Sequence, residues 1–270
     1  MTGGRRATDG AGPARDVATA CGMALALAAV LVMMLLEGSD PLAVVLLPPL
    51  VLVFGGTFGA AMAGCASSDL RRLGGWMRQA FGADRLPSSA DCVAQLVDLT
   101  TVARTSGILA MESRVRRVED DFLRRGLEKA IDGVAAEVVR TTMERELAAR
   151  RSEDRVAARF FARMGGYAPT IGIIGTVVGL VQVLKSLDNP TTLGPLVAGA
   201  FVATLWGVLS ANFLWLPISA KITRVGELRA ARMQLMIEGV CEIQAGASPR
   251  AVRARLRSML PPSEVRAGAA

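Results

Sequence analysis

Histidine is absent from the 270 residues, which removes the commonest zinc ligand and the usual proton shuttle near neutral pH. Cysteine is scarce, and Cys21, Cys65, Cys92 and Cys241 show no CxxC spacing. That is the pattern of scattered free thiols, not of a redox or metal centre. Charge is missing from four long apolar runs: residues 17–36, 42–64, 166–187 and 193–219 contain no Asp, Glu or Arg, and Lys185 is the one charge among them. No nucleophile, metal cluster or acid pair stands near a run boundary in a recognisable spacing, so neither catalysis nor a cofactor or metal is expected.

What the chain does have is apolar length. Hydrophobic residues make up 51% of it and mean hydropathy is +0.39. Each run is long enough to cross a bilayer, which takes about 20 helical residues. The last two runs are joined by the five residues 188–192 and read as a transmembrane hairpin.

The net charge of +7 raises nucleic acid as a partner, but the distribution argues for a membrane instead. Three of the 31 Lys and Arg precede Val17, eighteen lie between Gly64 and Gly165, and nine follow Ala220. Cationic flanks such as Arg71, Arg72, Arg159, Arg163, Lys221 and Arg224 fit the positive-inside pattern, with both termini and the long loop cytoplasmic. The expected architecture is an all-α polytopic membrane protein. It has four transmembrane helices, a large cytoplasmic helical domain at 65–165 between spans two and three, and a cytoplasmic tail at 220–270 that carries a helix.

Residues 1–16 are rich in Gly, Ala and Arg without apolar period and read as a disordered cytoplasmic segment. The first run is longer than a signal-peptide core and is followed by a turn-like segment, so a retained span is expected. Within the second run, Pro48 and Pro49 predict a kink, and Gly55, Gly56 and Gly59 a close-packing face. In the loop, Ser88 or Ser89 can cap a helix carrying Val93, Leu96, Val97 and Thr100 at helical spacing. A second helical stretch is expected over 108–139. The fourth span is expected to run on through about Gln244, with a short basic helix at 250–257 that is solvated or lipid-facing.

In the third run Gly172, Gly175 and Gly179 lie on neighbouring turns, and in the fourth Gly199, Ala203, Gly207 and Ala211 recur every four residues. Small residues so spaced let helix backbones approach. Thr176 and Thr204 stand amid these stripes, either bonding their own i−4 carbonyls or lining a hydrated path. Because the spans lack an acid at depth, any ion relay needs an ionisable group from a partner.

These motifs have a counterpart. The run A-P-T-I-G-I-I-G-T-V-V-G-L from Ala168 is followed by L-x-N-P-x-x-L-G-P from Leu187 and A-T-L-W-G-V-L-S-A-N-x-x-x-x-P-I from Ala203. With V-x-V-F-G-G-T from Val51 and A-R-x-x-G-I-L-A-M-E from Ala103, they resemble the flagellar stator subunits of the MotA type, within the MotA/TolQ/ExbB proton channel family. The resemblance covers Val17 to about Gln244.

It implies an ion-conducting, torque-generating subunit of the bacterial cytoplasmic membrane. Five copies would surround two helices of a MotB-type, single-span, peptidoglycan-binding partner whose Asp carries the ion, and would turn the rotor's switch-complex ring. Pro169 and Pro217 match the family's gating prolines, and Thr176 and Thr204 match hydroxyl positions near the ion, either H+ or Na+. Arg104 and Glu112 match the rotor-contact charges. Eight residues apart on one helix, they would lie about 12 Å and 80° apart. The alternative is an ExbB or TolQ-type energiser of an envelope machine, whose members typically have three spans and an outside N-terminus. No role in nucleic-acid binding is expected.

Overall fold

The computed structural model describes residues 17–81, 88–262 and 264, and every regular element among them is helical. The segment 1–16 expected to be disordered lies outside the described residues. The chain divides into two compact units, residues 1–85 with 156–223 and residues 86–155 with 224–270. Helices α9 (Ala136–Lys185) and α11 (Leu216–Gln244) contribute to both.

The first unit holds α1 (Val17–Leu36), α2 (Leu47–Leu50), α3 (Gly56–Ala63), α4 (Ser67–Leu70), α5 (Leu73–Phe81) and α10 (Pro190–Ser210), with parts of α9 and α11. Among the described residues, two helices are long and apolar enough to cross a membrane, Ala136–Lys185 and Pro190–Gln244, and two shorter apolar ones cover Ala20–Leu36 and Leu47–Ala63. Large apolar side chains remain outside: Ile173, Ile174 and Val177 of α9 are each more than half exposed. Water would penalise such a band, whereas lipid or neighbouring subunits would not.

The second apolar run differs from the expected kinked helix. Residues Pro41–Val44 form a 3-10 turn, the chain breaks, and α2 then starts with its prolines in the first turn. There their missing N–H groups would have had no helical acceptor in any case, so no kink follows. The irregularity comes instead at a π-helical turn over Val51–Gly55. The break leaves the Val44 carbonyl outside any helical ladder, and Trp206 of α10 donates its indole N–H to it at 2.7 Å.

At the other end of this apolar segment, the Arg163 guanidinium donates to the Gly64 carbonyl just past α3 at 2.8 Å. A cation there suits the carbonyl-rich helix C-terminus. The core of this unit gathers Ala61, Trp76, Phe160, Phe161, Met164, Ile218 and Ile222, with Phe160 and Phe161 edge to face at 5.4 Å.

The second unit contains α6 (Ser89–Ser106), α7 (Glu112–Val115), α8 (Asp121–Ile131) and α12 (Pro249–Ser258), plus the remaining parts of α9 and α11. Ser88 caps α6 through Ala90 N at 3.1 Å, and Asp120 caps α8 through Phe122 N and Leu123 N. Leu96, Leu123, Leu127, Ile237, Val240 and Leu256 meet in one core, each fully buried. Such burial contributes about 1.5–3 kcal/mol per large aliphatic side chain.

The helix expected over 108–139 is interrupted. A 3-10 turn occupies Ile108–Met111, and Gly133 adopts φ +75° between α8 and α9. Free thiols Cys92 and Cys241 lie in the core, where burial pushes both above the usual thiol range.

Candidate functional site

Helices α9 and α10 approach each other closely in the first unit, and glycine makes it possible. A Cβ on Gly207 would stand 2.6 Å from the Ala168 carbonyl oxygen and 3.3 Å from Pro169 Cα. One on Gly172 would meet the Ala203 oxygen at 2.9 Å, and on Gly179 the Ala200 Cβ at 2.6 Å. The two stripes read from the sequence therefore interlock, with one correction. Gly199 takes no part, since a Cβ there would touch only Leu46 Cδ1 at 3.9 Å, and Ala200 occupies the contact instead.

This proximity brings Thr176 and Thr204 together, and their hydroxyls are hydrogen-bonded to each other. The hydroxyl of Thr176 reaches the Ala200 carbonyl across the interface at 3.0 Å and its own Gly172 carbonyl at 3.3 Å, while that of Thr204 reaches Gly172 at 3.3 Å. Each hydroxyl thus approaches the carbonyl four residues before the other threonine. Back-bonding within one helix is only part of the arrangement. Two hydroxyl and two carbonyl oxygens make a compact, charge-free polar cluster in apolar surroundings, and such oxygens can receive a hydrated or partly dehydrated cation or a proton-carrying water.

Pro169 sits well inside α9, not at a helix start. It withholds the N–H that would close on the Gly165 carbonyl, and its ring crowds that turn. Pro217 follows a second π-helical turn, Ala211–Trp215, in which the Leu216 N–H bonds to the Ala211 carbonyl. The wider turn just before the proline gives its ring room.

Phe54, in the first π-helical turn, packs against both Trp206 and Trp215 with ring centroids 6.1 and 6.2 Å away. Neither Phe54 nor Trp206 was singled out by the sequence. Their signal was present in the F-G-G-T and T-L-W-G motifs, but only contact across helices assigns them a role. Beside the threonines, an apolar groove of about 450 Å³ runs along Pro49, Leu52, Gly175, Gly179, Gln182, Leu196 and Ala200.

In the second unit, Arg104 and Glu112 are both exposed, as surface contacts require. They do not share one helix. Arg104 lies in the last turn of α6, Gly107 at φ +87° ends that helix, and Glu112 opens α7. An L side chain is strained at that φ, so glycine permits the break. The expected separation along a single helix therefore does not apply.

Arg104 donates to the Gly246 carbonyl at 3.4 Å, and Glu112 pairs with Arg116 at 2.7 Å. Deeper in this unit, Glu238 is 7% exposed and pairs with Arg255 at 2.5 Å and Arg140 at 3.1 Å. Burial alone would raise its carboxyl pKa, but the hydrogen bonds from Arg255 and Arg140 outweigh that and hold it below the usual range. Asp154, also buried, pairs with Arg229 at 3.2 Å.

The MotA/TolQ/ExbB proton channel family matches residues 114–235. Motility protein A of Bacillus subtilis is 30% identical over 246 residues, covering 91% of each chain. Chemotaxis protein PomA of Vibrio alginolyticus is 30% identical, covering 91% of this chain and 95% of its own. A subunit of the solved C. jejuni MotAB structure superposes with a TM-score of 0.87 at 29% identity, covering 92% of this chain and 96% of that one. These matches along nearly the whole length place the chain in the MotA/TolQ/ExbB proton channel family.

Proposed function

We propose that this ion-conducting subunit of a flagellar stator works through the Thr176–Thr204 cluster, with the charge supplied by an Asp on a MotB-type, single-span, peptidoglycan-binding partner. The observation that carries this is the cross-bonded hydroxyl pair at the glycine-lined contact of α9 and α10. It offers oxygen ligands and no charge, which is what a path completed by a partner carboxylate needs.

Four spans with both termini cytoplasmic, and five copies around two partner helices, complete the arrangement. Loading and release of the partner Asp would break and remake the hydroxyl bonds, each worth about 0.5–1.5 kcal/mol net. An ion crossing about 150 mV releases about 3.5 kcal/mol, enough to drive one such exchange. Pro169 and Pro217 give α9 and the α10–α11 segment the bends at which that exchange moves the helices. Arg104 and Glu112 then pass the motion to the rotor's switch-complex ring.

The test is flux and swimming with the partner co-expressed. Thr176→Val keeps the side-chain shape and removes the hydroxyl. It is expected to cut flux about tenfold, the factor for roughly 1.4 kcal/mol, while assembly with the partner persists. Thr176→Ser should conduct nearly as the parent does. Undiminished flux through Thr176→Val overturns the role of the cluster. Sodium removal and proton uncoupling, applied separately, identify the ion.

A further inference from the structure

The C-terminal helix α12 was expected to be solvated or to lie against lipid. Its apolar residues Val252 and Leu256 are instead fully buried in the core of the second unit, so no apolar face is left to insert into a bilayer. Arg255 is turned toward that same packed side and is held by Glu238 at 2.5 Å and Glu242 at 3.1 Å.

Arg250, Arg253 and Arg257 are exposed. Spaced three and four residues apart, they fall within about 60° of one another around the helix and along about 10 Å of its axis. Among the described residues, no carboxylate pairs with any of the three. Like charges at this spacing repel, and a cation in the first turn, as Arg250 is, opposes the helix dipole. Arg257, in the last turn, suits the dipole, but the stripe as a whole gains no ion pair within the described residues.

Its position is also informative. The loop leading into α12 carries Gly246, whose carbonyl accepts from Arg104. Four residues span at most about 14 Å, so Arg250 starts no farther than that from the residue that Arg104 holds.

We infer that Arg250, Arg253 and Arg257 form a second docking stripe, continuous with Arg104, for an acidic protein surface bearing a row of carboxylates. The stripe rests on the rotor-contact reading of Arg104 and extends that contact onto the C-terminal helix. Several separate charge contacts spread over two elements give fast, salt-sensitive engagement, which suits a contact that must be made and released repeatedly.

The test uses the full chain assembled with its partner and reconstituted. R250Q/R253Q/R257Q preserves helix propensity and leaves Val252, Leu256 and Arg255 untouched. The variant is expected to assemble and conduct as the parent does, to bind the purified switch-complex ring about tenfold more weakly, and to lose part of the salt dependence of that binding. Parental affinity for the ring overturns the inference. So does a loss confined to phosphatidylglycerol vesicles, which would assign the stripe to the membrane, and so does a loss of assembly, which would make it structural.

Arg104→Glu is run in parallel. If it abolishes ring binding while the triple variant binds normally, only the second stripe fails. If neither variant affects binding, the rotor-contact reading fails with it.

Discussion

The glycine stripe of α10 contains two residues that the sequence makes equivalent and the structure does not, Gly199 and Gly207. In Gly207→Ala the added methyl would lie 2.6 Å from the Ala168 oxygen, 3.1 Å from Gly172 Cα and 3.3 Å from Pro169 Cα. All three are backbone atoms, so no rotamer change relieves the contact. Favourable carbon contacts begin near 3.5 Å, and the helices must part by something under about 1 Å.

Overpacking of this kind costs about 1–3 kcal/mol. It also lengthens the 3.0 and 3.3 Å threonine bonds beyond about 3.5 Å, where they cease to count. In Gly199→Ala the methyl meets only Leu46 Cδ1, at an ordinary 3.9 Å, and replacing a helical glycine gains up to about 1 kcal/mol. The assay is thermal unfolding of each purified complex together with ion flux and swimming speed. Gly207→Ala should melt several degrees lower and lose flux; Gly199→Ala should match or exceed the parent. Equal behaviour of the two variants would refute the interlocked interface.

Arg104→Glu is expected to abolish swimming while partner assembly and ion conduction continue, as followed by pull-down and flux; failure to insert in the membrane would remove the contact role. Glu238 makes the second unit acid-sensitive. Its folded pKa is depressed, so its contribution is complete above the unfolded carboxylate pKa and is lost as pH falls through the lower folded value. Denaturant titrations across that acid range should show Glu238→Gln with a flatter pH dependence and a loss of about 1–3 kcal/mol at neutral pH. Cys92 and Cys241, buried with raised pKa values, should resist a maleimide until denaturant is added.

Much of the fold could be read from residue pattern because apolar length and small-residue spacing act locally. The hairpin, the continuation of the fourth apolar run to Gln244 and the serine cap of α6 all follow from such short-range rules. The misreadings came where one residue's conformation outweighed periodicity. Gly107 at φ +87° ends the one helix expected to carry both Arg104 and Glu112, and the position of Pro48 and Pro49 in the first turn of α2 turns an expected kink into a helix start.

For the candidate site, the sequence marked both threonines and both prolines but not their pairing. Whether Thr204 bonds Ala200 or Gly172 depends on how closely two helices meet, and that is set jointly by Gly172, Ala203 and Gly207. Buried ion pairs such as Asp154–Arg229 lie 75 residues apart in the chain and leave no local trace.

The π-helical turn at Ala211–Trp215 fixes a phase. One surplus residue in a helix offsets everything after it by about 100° relative to what came before. Gly207 and Ile218, eleven residues apart, would share a face in an unbroken α-helix. The extra residue separates them, so that one side of α10 can meet α9 while Ile218 and Ile222 point into the aromatic core. Deleting a single residue within 211–215 would therefore act less as a shortening than as a rotation, exchanging buried and exposed faces along the helix that follows.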